Sequence, residues 1–465
     1  MSSERDLTKG SVGKALFWVS APMTLGILGT LLVGLADSLF LARVSPEALA
    51  AIGFVYPVIV ALTSLSIGLA AGTNTVVSQA IGKGEDQHAR NRLTLHSMLF
   101  ATVLSVGVSV LFFFAAPWIF ASMGAKDKVL EAALSYIPYW CLSFPPMVVV
   151  MALNAVFRAA GNSTVAATTM LLQSLLNIAL NPIFIFGAGP VPALGMAGAG
   201  LATLIARIAG LAGLVFFAWR TGFIRFDCGP AKNLPRSISK MARVGIPASL
   251  SNAINPVGMA VVTAAVATIG DAAVAGFGAA GRVQSFVLVP LLALSSGIGP
   301  VVGQNWGAGE EGRARKALWL CFVLSVLFGF ALALLFLGFA DFVANLMTKG
   351  GEPAKYAASY LRVVSWGFFG YGILVTANAA MNARDRAQWS MWLSAARIAL
   401  LYAPLAWLGV FVAGYNGILV ASVLANVVTI WWALVACHAV GLFKLDWAIV
   451  ATPSRWIVDA TERAS

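Results

Sequence analysis

The chain has 465 residues, of which 10% are charged and 60% are apolar, and a formal net charge of +12. A soluble domain carries roughly 25% charged residues, so the composition argues against a soluble enzyme, a nucleic-acid binder and a disordered chain. The apolar runs are continuous and longer than about 20 residues, which argues against a transmembrane β-barrel and predicts an all-α polytopic membrane protein.

Apolar runs between charged breaks predict twelve spans, at about 15–42, 48–80, 93–116, 131–157, 164–187, 194–219, 244–269, 273–303, 317–340, 356–382, 389–412 and 417–440. No cleavable signal fits, because the flank Met1–Lys14 leads into a full span. With the N-terminus placed inside, 21 of the 30 Lys and Arg fall in inner segments and five in outer ones. That asymmetry places both termini in the cytoplasm of a cell-membrane (inner-membrane) protein. It also accounts for the basic excess without an anionic partner.

The chain repeats itself. Gln79, Gly82, Gly84, Glu85 and Arg90 recur as Gln304, Gly307, Gly309, Glu310 and Arg315, each 225 residues later, and Pro22 recurs as Pro247. Each segment follows the second span of its half. An offset of six spans returns to the same membrane side, so the repeat is parallel and relates two six-helix lobes by a pseudo-two-fold axis. The organisation is an N-lobe at 1–219, a linker at 220–243, a C-lobe at 244–440 and a tail at 441–465. The repeated Gln-Gly-Gly-Glu loops read first as turns ending spans two and eight, with Glu and Arg able to pair.

The ordered motifs resemble the multidrug and toxic compound extrusion (MATE) transporters. The resemblance is carried by Pro22 and Asp37, the two Gln-x-x-Gly-x-Gly loops and Arg158-x-x-Gly161-Asn162-Ser163. It continues through Asn177-x-x-x-Asn181-Pro182, Phe186-Gly187 and Gly195-Met196-x-Gly198-x-Gly200-Leu201-Ala202-Thr203. Asn255 stands where NorM-like members carry an acidic residue, and the 356–382 run has none. The chain is therefore more similar to the DinF-like branch, whose cation site lies in the N-lobe. The resemblance implies a site of Asp37, Asn177, Asn181, Thr203 and Tyr139, and efflux of organic, chiefly cationic, compounds driven by H⁺ or Na⁺. Some members carry an aspartate at the position of Asn181, so one carboxylate remains here.

The residues point the same way without the family. Of 18 acidic residues only Asp37 lies well inside a span, and intramembrane carboxylates are functional candidates by default. Asp37 and Asn181 lie six residues from the outer ends of spans one and five. Tyr139 and Thr203 lie eight residues in from those of spans four and six, about 12 Å. Four polar groups from four spans thus share one depth. Gln173, Asn177 and Asn181 share one helix face. The offset of 225 maps Asp37 onto Val262, and aligning Asn154 with Asn378 maps Asn177 onto Leu401 and Asn181 onto Leu405, so the second lobe is expected to be more passive. Arg282, Arg362 and Arg397 could contact anionic groups, with snorkelling or pairing with span ends as the favoured reading.

Gln173, Met147, Met151, Met170, Met196, Trp140 and Phe144 are candidate substrate-lining residues, with packing as the competing reading. Pro22 is a candidate hinge. The four Cys and three His are scattered, and there is no phosphate loop, nucleophile elbow or cofactor motif. The expected protein is a secondary active antiporter, not an enzyme. It works by alternating access with Asp37 as the coupling residue, and H⁺ is favoured over Na⁺. Asp37, Asn177, Asn181 and Thr203 would ligate Na⁺ if it were the coupling ion. Expected partners are small organic substrates and membrane lipid, with no nucleic acid and no cofactor, and a monomer suffices. Competing readings are a lipid-linked oligosaccharide or lipid flippase, and a non-transporting membrane scaffold.

Overall fold

The computed structural model describes residues 5–444, so the predicted tail from residue 445 onward lies outside the described residues. Helices account for almost all of it. The one isolated bridge among the described residues joins Ala188 to Val191. Six helices form the first half: α1 (Val12–Leu41), α2 (Pro46–Gly82), α3 (Gln87–Ser122), α4 (Asp127–Ala159), α5 (Ser163–Phe186) and α6 (Gly195–Arg220). Their starts are chemically marked. Ser45 Oγ accepts from Ala48 N ahead of α2, and Asp86 Oδ1 accepts from Ala89 N ahead of α3.

The second half begins with α7 (Leu234–Ala267), ten residues before its predicted start. Asn233 adopts a left-handed conformation and Pro235 opens the helix, so the helix runs into the stretch read as linker. α8 (Asp271–Val287) and α9 (Val289–Gly307) form one span bent by 46°. α10 (Glu311–Thr348) follows. α11 (Glu352–Val364) and α12 (Phe368–Ala383) are joined by one 3₁₀ turn. α13 (Ala387–Ala396) passes through a π-helical turn, Arg397–Tyr402, into α14 (Ala403–Ala439). α14 breaks at Ala413 and Gly414, where Gly414 takes a φ of +58°. Glycine tolerates that value without steric cost, so the eleventh and twelfth spans turn there. The chain thus crosses twelve times.

α4 is the central helix of the first lobe and buries Trp140, Phe144, Leu153 and Phe157. The lobes meet where α2 packs on α7 and α1 packs on α9, two contacts related by the repeat. Several hydrogen bonds between the lobes gather at one end, the basic end that carries Lys83, Arg313, Arg315, Lys316, Arg384 and Arg386. Gln79 Nε2 donates to the carbonyl of Ala383 at 2.8 Å, and Gln304 Nε2 donates to the carbonyl of Ala159 at 2.7 Å. Ala159 and Ala383 end α4 and α12, where helix carbonyls lack intrahelical donors. Gln304 Oε1 also accepts from Leu7 N at 2.9 Å, and Thr75 Oγ1 donates to Asn382 O at 3.0 Å.

The repeated loops therefore do more than end helices. Gly84 and Gly309 take positive φ, as a turn requires, but Gly82 and Gly307 serve close approach. A Cβ on Gly82 would lie 2.0 Å from Gln304 O, and one on Gly307 would lie 2.4 Å from Gln79 O. The expected pairing of Glu310 with Arg315 gives way to Glu311, one turn earlier on the same helix, at 2.5 Å. Gly82→Val is expected to wedge the basic end open. Spin labels at the exposed Lys83 and Arg386 positions, read by electron–electron distance measurement, should show a longer and broader distribution. An unchanged distribution would refute this account of the closed end.

Candidate functional site

Asp37 sits on α1, one turn before its end at Leu41, and is half-buried. Asn181 on α5 donates its Nδ2 to Asp37 Oδ1 at 2.5 Å and to Asn177 Oδ1 at 3.2 Å. Asn177 Nδ2 donates to Thr203 Oγ1 on α6 at 3.0 Å, and Thr203 donates to the carbonyl of Ala199 at 2.9 Å. A continuous hydrogen-bond chain thus runs from the carboxylate through α5 to the backbone of α6. Asn177 and Asn181 are four residues apart, so one helix face presents both. Asn181 is fully buried, and its Oδ1 has no hydrogen-bond partner. An orphaned buried acceptor is costly, and it leaves an oxygen free for a proton donor or a cation.

Four of the five residues read as the cation site are brought together. The fifth is displaced by one turn. Tyr136 packs by Thr203 and feels the charge of Asp37, whereas Tyr139 lies half-buried beside Gly200 with no hydrogen bond to the network. The reason is register. α4 starts at Asp127 rather than near Glu131, so the shared depth falls one turn earlier. Sequence reasoning also missed Arg207. Its Nη1 donates to Ser143 Oγ at 2.7 Å, and its charge acts on Asp37 and Tyr136. The available signal was spacing, since Arg207 follows Thr203 by four residues on α6.

Trp140, Phe144 and Met196 are core residues, which corrects their reading as substrate-lining. Trp140 stacks on Phe144 at 5.0 Å and meets Phe112 edge-on at 5.5 Å. All three are nearly fully buried, Trp140 and Phe144 on α4 and Met196 at the start of α6. Met147, Met151 and Met170 are half-buried, and Met170 packs against Gly26 of α1. Gln173 reaches across to the carbonyl of Arg207 at 3.5 Å, an interhelical contact. Pro22 lies inside α1, which stays helical on both sides of it. In the second lobe Val262 is buried, and Arg362 pairs with Asp341 near a span end as expected.

Among the described residues no three of His, Cys, Asp and Glu gather into a metal site. The oxygens of Asp37, Asn177, Asn181 and Thr203 are of the type that suits a hard cation, but they carry one charge. Asn181→Asp places a second carboxylate beside Asp37 and is expected to create a sodium site. Thermal unfolding in NaCl against KCl should raise the variant's midpoint by about 2 °C or more while leaving the native chain unmoved. An equal sodium shift in the native chain would mean that one carboxylate suffices.

Known proteins match this arrangement. A family model described as MatE matches residues 22–183 and again residues 247–408, at the offset of the repeat. A protein of Shewanella oneidensis described as an FAD transporter is 33% identical over 431 residues, covering 92% of this chain and 94% of that protein. A probable multidrug resistance protein NorM of Pseudomonas putida is 25% identical, covering 93% and 94%. Among solved structures, an outward-facing multidrug resistance MATE family transporter of the MOP superfamily superposes with a TM-score of 0.86. It is 25% identical and covers 94% of this chain and 98% of that one.

Proposed function

This chain belongs to the MatE family of membrane transporters, and from that premise we propose that it is a secondary active efflux antiporter. It exchanges organic compounds for protons by alternating access, with Asp37 as the coupling residue. The observation that carries this reading is the hydrogen-bond chain from Asp37 through Asn181 and Asn177 to Thr203, which ends on an unpartnered Asn181 Oδ1. In this reading residues 1–219 hold the coupling site and residues 244–440 form the opposing lobe. One copy completes the cleft, with no cofactor and no enzymatic step.

The positive-inside rule assigns the basic end, and both termini, to the cytoplasm of the cell membrane. The latch of Gln79 and Gln304 then closes the cytoplasmic side, and the cleft faces outward. The resemblance to an outward-facing relative supports this state.

The network has two protonation-dependent arrangements. Ionised Asp37 is an acceptor only, and it takes Asn181 Nδ2–H. Protonated Asp37 gains an O–H, and rotation of the Asn181 amide lets Oδ1 accept it. The orphaned acceptor is thereby satisfied, and the charge that Arg207 opposes is removed. The outer part of α1 repacks on α5, with Pro22 as the hinge, and the pocket shrinks around departing substrate. One proton entering in exchange for a monovalent cation moves no net charge, so the pH gradient drives it, and each pH unit supports about a tenfold outward gradient, about 1.4 kcal/mol. One carboxylate is sufficient for such work.

The S. oneidensis relative supports a second reading of the cargo, a flavin dinucleotide in place of a drug-like cation. Both readings are tested in vesicles at fixed sodium with an imposed pH gradient, using ethidium and FAD as cargo. Acid on the outer side should accelerate export of the true substrate and alkali should slow it. Asp37→Asn should cut export by about tenfold or more. Export that needs sodium and ignores the pH gradient would overturn proton coupling, and wild-type export by Asp37→Asn would overturn the role of Asp37.

A further inference from the structure

Arg397 is the first residue of the π-helical turn between α13 and α14. It is only 7% exposed, so it does not snorkel as an arginine near a span end would. It lies ten residues beyond the start of α13 at Ala387, about 15 Å from the basic end. The Ala413–Gly414 break lies a further 16 residues on. The guanidinium is therefore at mid-depth in the second lobe, where charged side chains are rare and mark substrate or ion pathways.

Its surroundings solvate the charge without cancelling it. Arg397 Nε donates to Asn426 Oδ1 at 3.1 Å, and Nη1 donates to Asn255 Oδ1 at 3.0 Å. The rings of Tyr371 and Tyr402 lie 5.8 Å and 6.0 Å from its central carbon. Among the described residues no carboxylate pairs with it. Both oxygen partners come from asparagine, the neutral isostere of the residue that would neutralise a guanidinium. A cation kept only for packing is best served by aspartate at either position. π-Helical turns are themselves found mostly at functional sites, because the widened turn re-aims a side chain.

The group is reached from several elements of one lobe. Asn255 is half-buried and lies on the face of α7 whose Ser251 and Gly258 meet Ser394 and Ile398. Arg397 thus sits in the interior of the second lobe, among α7, α12 and α14. Arginine offers a planar fork suited to two-point contact with an oxyanion.

We propose that Arg397, held by Asn255 and Asn426 and flanked by Tyr371, binds a phosphate or carboxylate group of the organic cargo. The first lobe then handles the proton and the second anchors an anionic substituent. This rests on the transporter reading, but binding without a gradient tests it separately. The probes are riboflavin and riboflavin 5′-phosphate, which share a ring and differ by the phosphate. Binding is measured by flavin fluorescence on the full chain in phosphatidylcholine nanodiscs.

The native chain should bind the phosphorylated flavin about tenfold tighter, and Arg397→Gln should bring the two within about twofold. Asn255→Asp keeps the arginine and places a carboxylate against it, so it should abolish the preference without removing packing. It decides the matter if Arg397→Gln fails to fold. Equal binding of both flavins by the native chain, or a preference that survives Asn255→Asp, overturns the proposal. Added phosphatidylglycerol that displaces the phosphorylated flavin would identify a lipid phosphate as the occupant and overturn the assignment to cargo. A surviving export defect in Asp37→Asn alongside equal flavin binding would leave the transporter reading standing and this one refuted.

Discussion

A helix-terminal carbonyl shut away from water needs a donor from the protein, and in this chain Gln79 and Gln304 supply the missing donors to Ala383 and Ala159. Each glutamine belongs to one lobe and each carbonyl to the other. Satisfying a local requirement therefore closes the two lobes at one end. Gly82 and Gly307 permit it, because any side chain there would hold the backbones apart.

The same constraint shapes the coupling site. A carboxylate within a span must find donors from its own protein, and Asn181 is within reach because α1 packs along α5. Asn181 gives both its hydrogens away and keeps an unused oxygen. That imbalance leaves one acceptor open, which a proton donor or a cation can fill.

The scaffold is symmetric and its chemistry is not. The latch obeys the 225-residue repeat residue by residue. Asp37 has Val262 as its counterpart, and the second lobe has its own buried arginine instead. Arg397 departs from the favoured sequence reading of an arginine that snorkels or pairs with a span end. Its side chain turns inward because Asn255 and Asn426, 142 and 29 residues away, supply oxygens there. No local pattern announces such a meeting.

The sequence by itself determined the twelve crossings, the repeat and the grouping of Asp37, Asn177, Asn181 and Thr203 at one depth. Charge scarcity and hydropathy are local properties that survive without coordinates, and depth along a helix follows from counting residues. Tertiary structure decided rotation and partnership. It chose Tyr136 over Tyr139, because a four-residue error in where α4 starts shifts the depth by a turn. It sent Trp140, Phe144 and Met196 into the core, since helices that are apolar on several faces offer no sign of which face meets a cavity. It turned the repeated loops from simple turns into a latch, because an approach of two backbones across 225 residues is a property of packing and not of either segment.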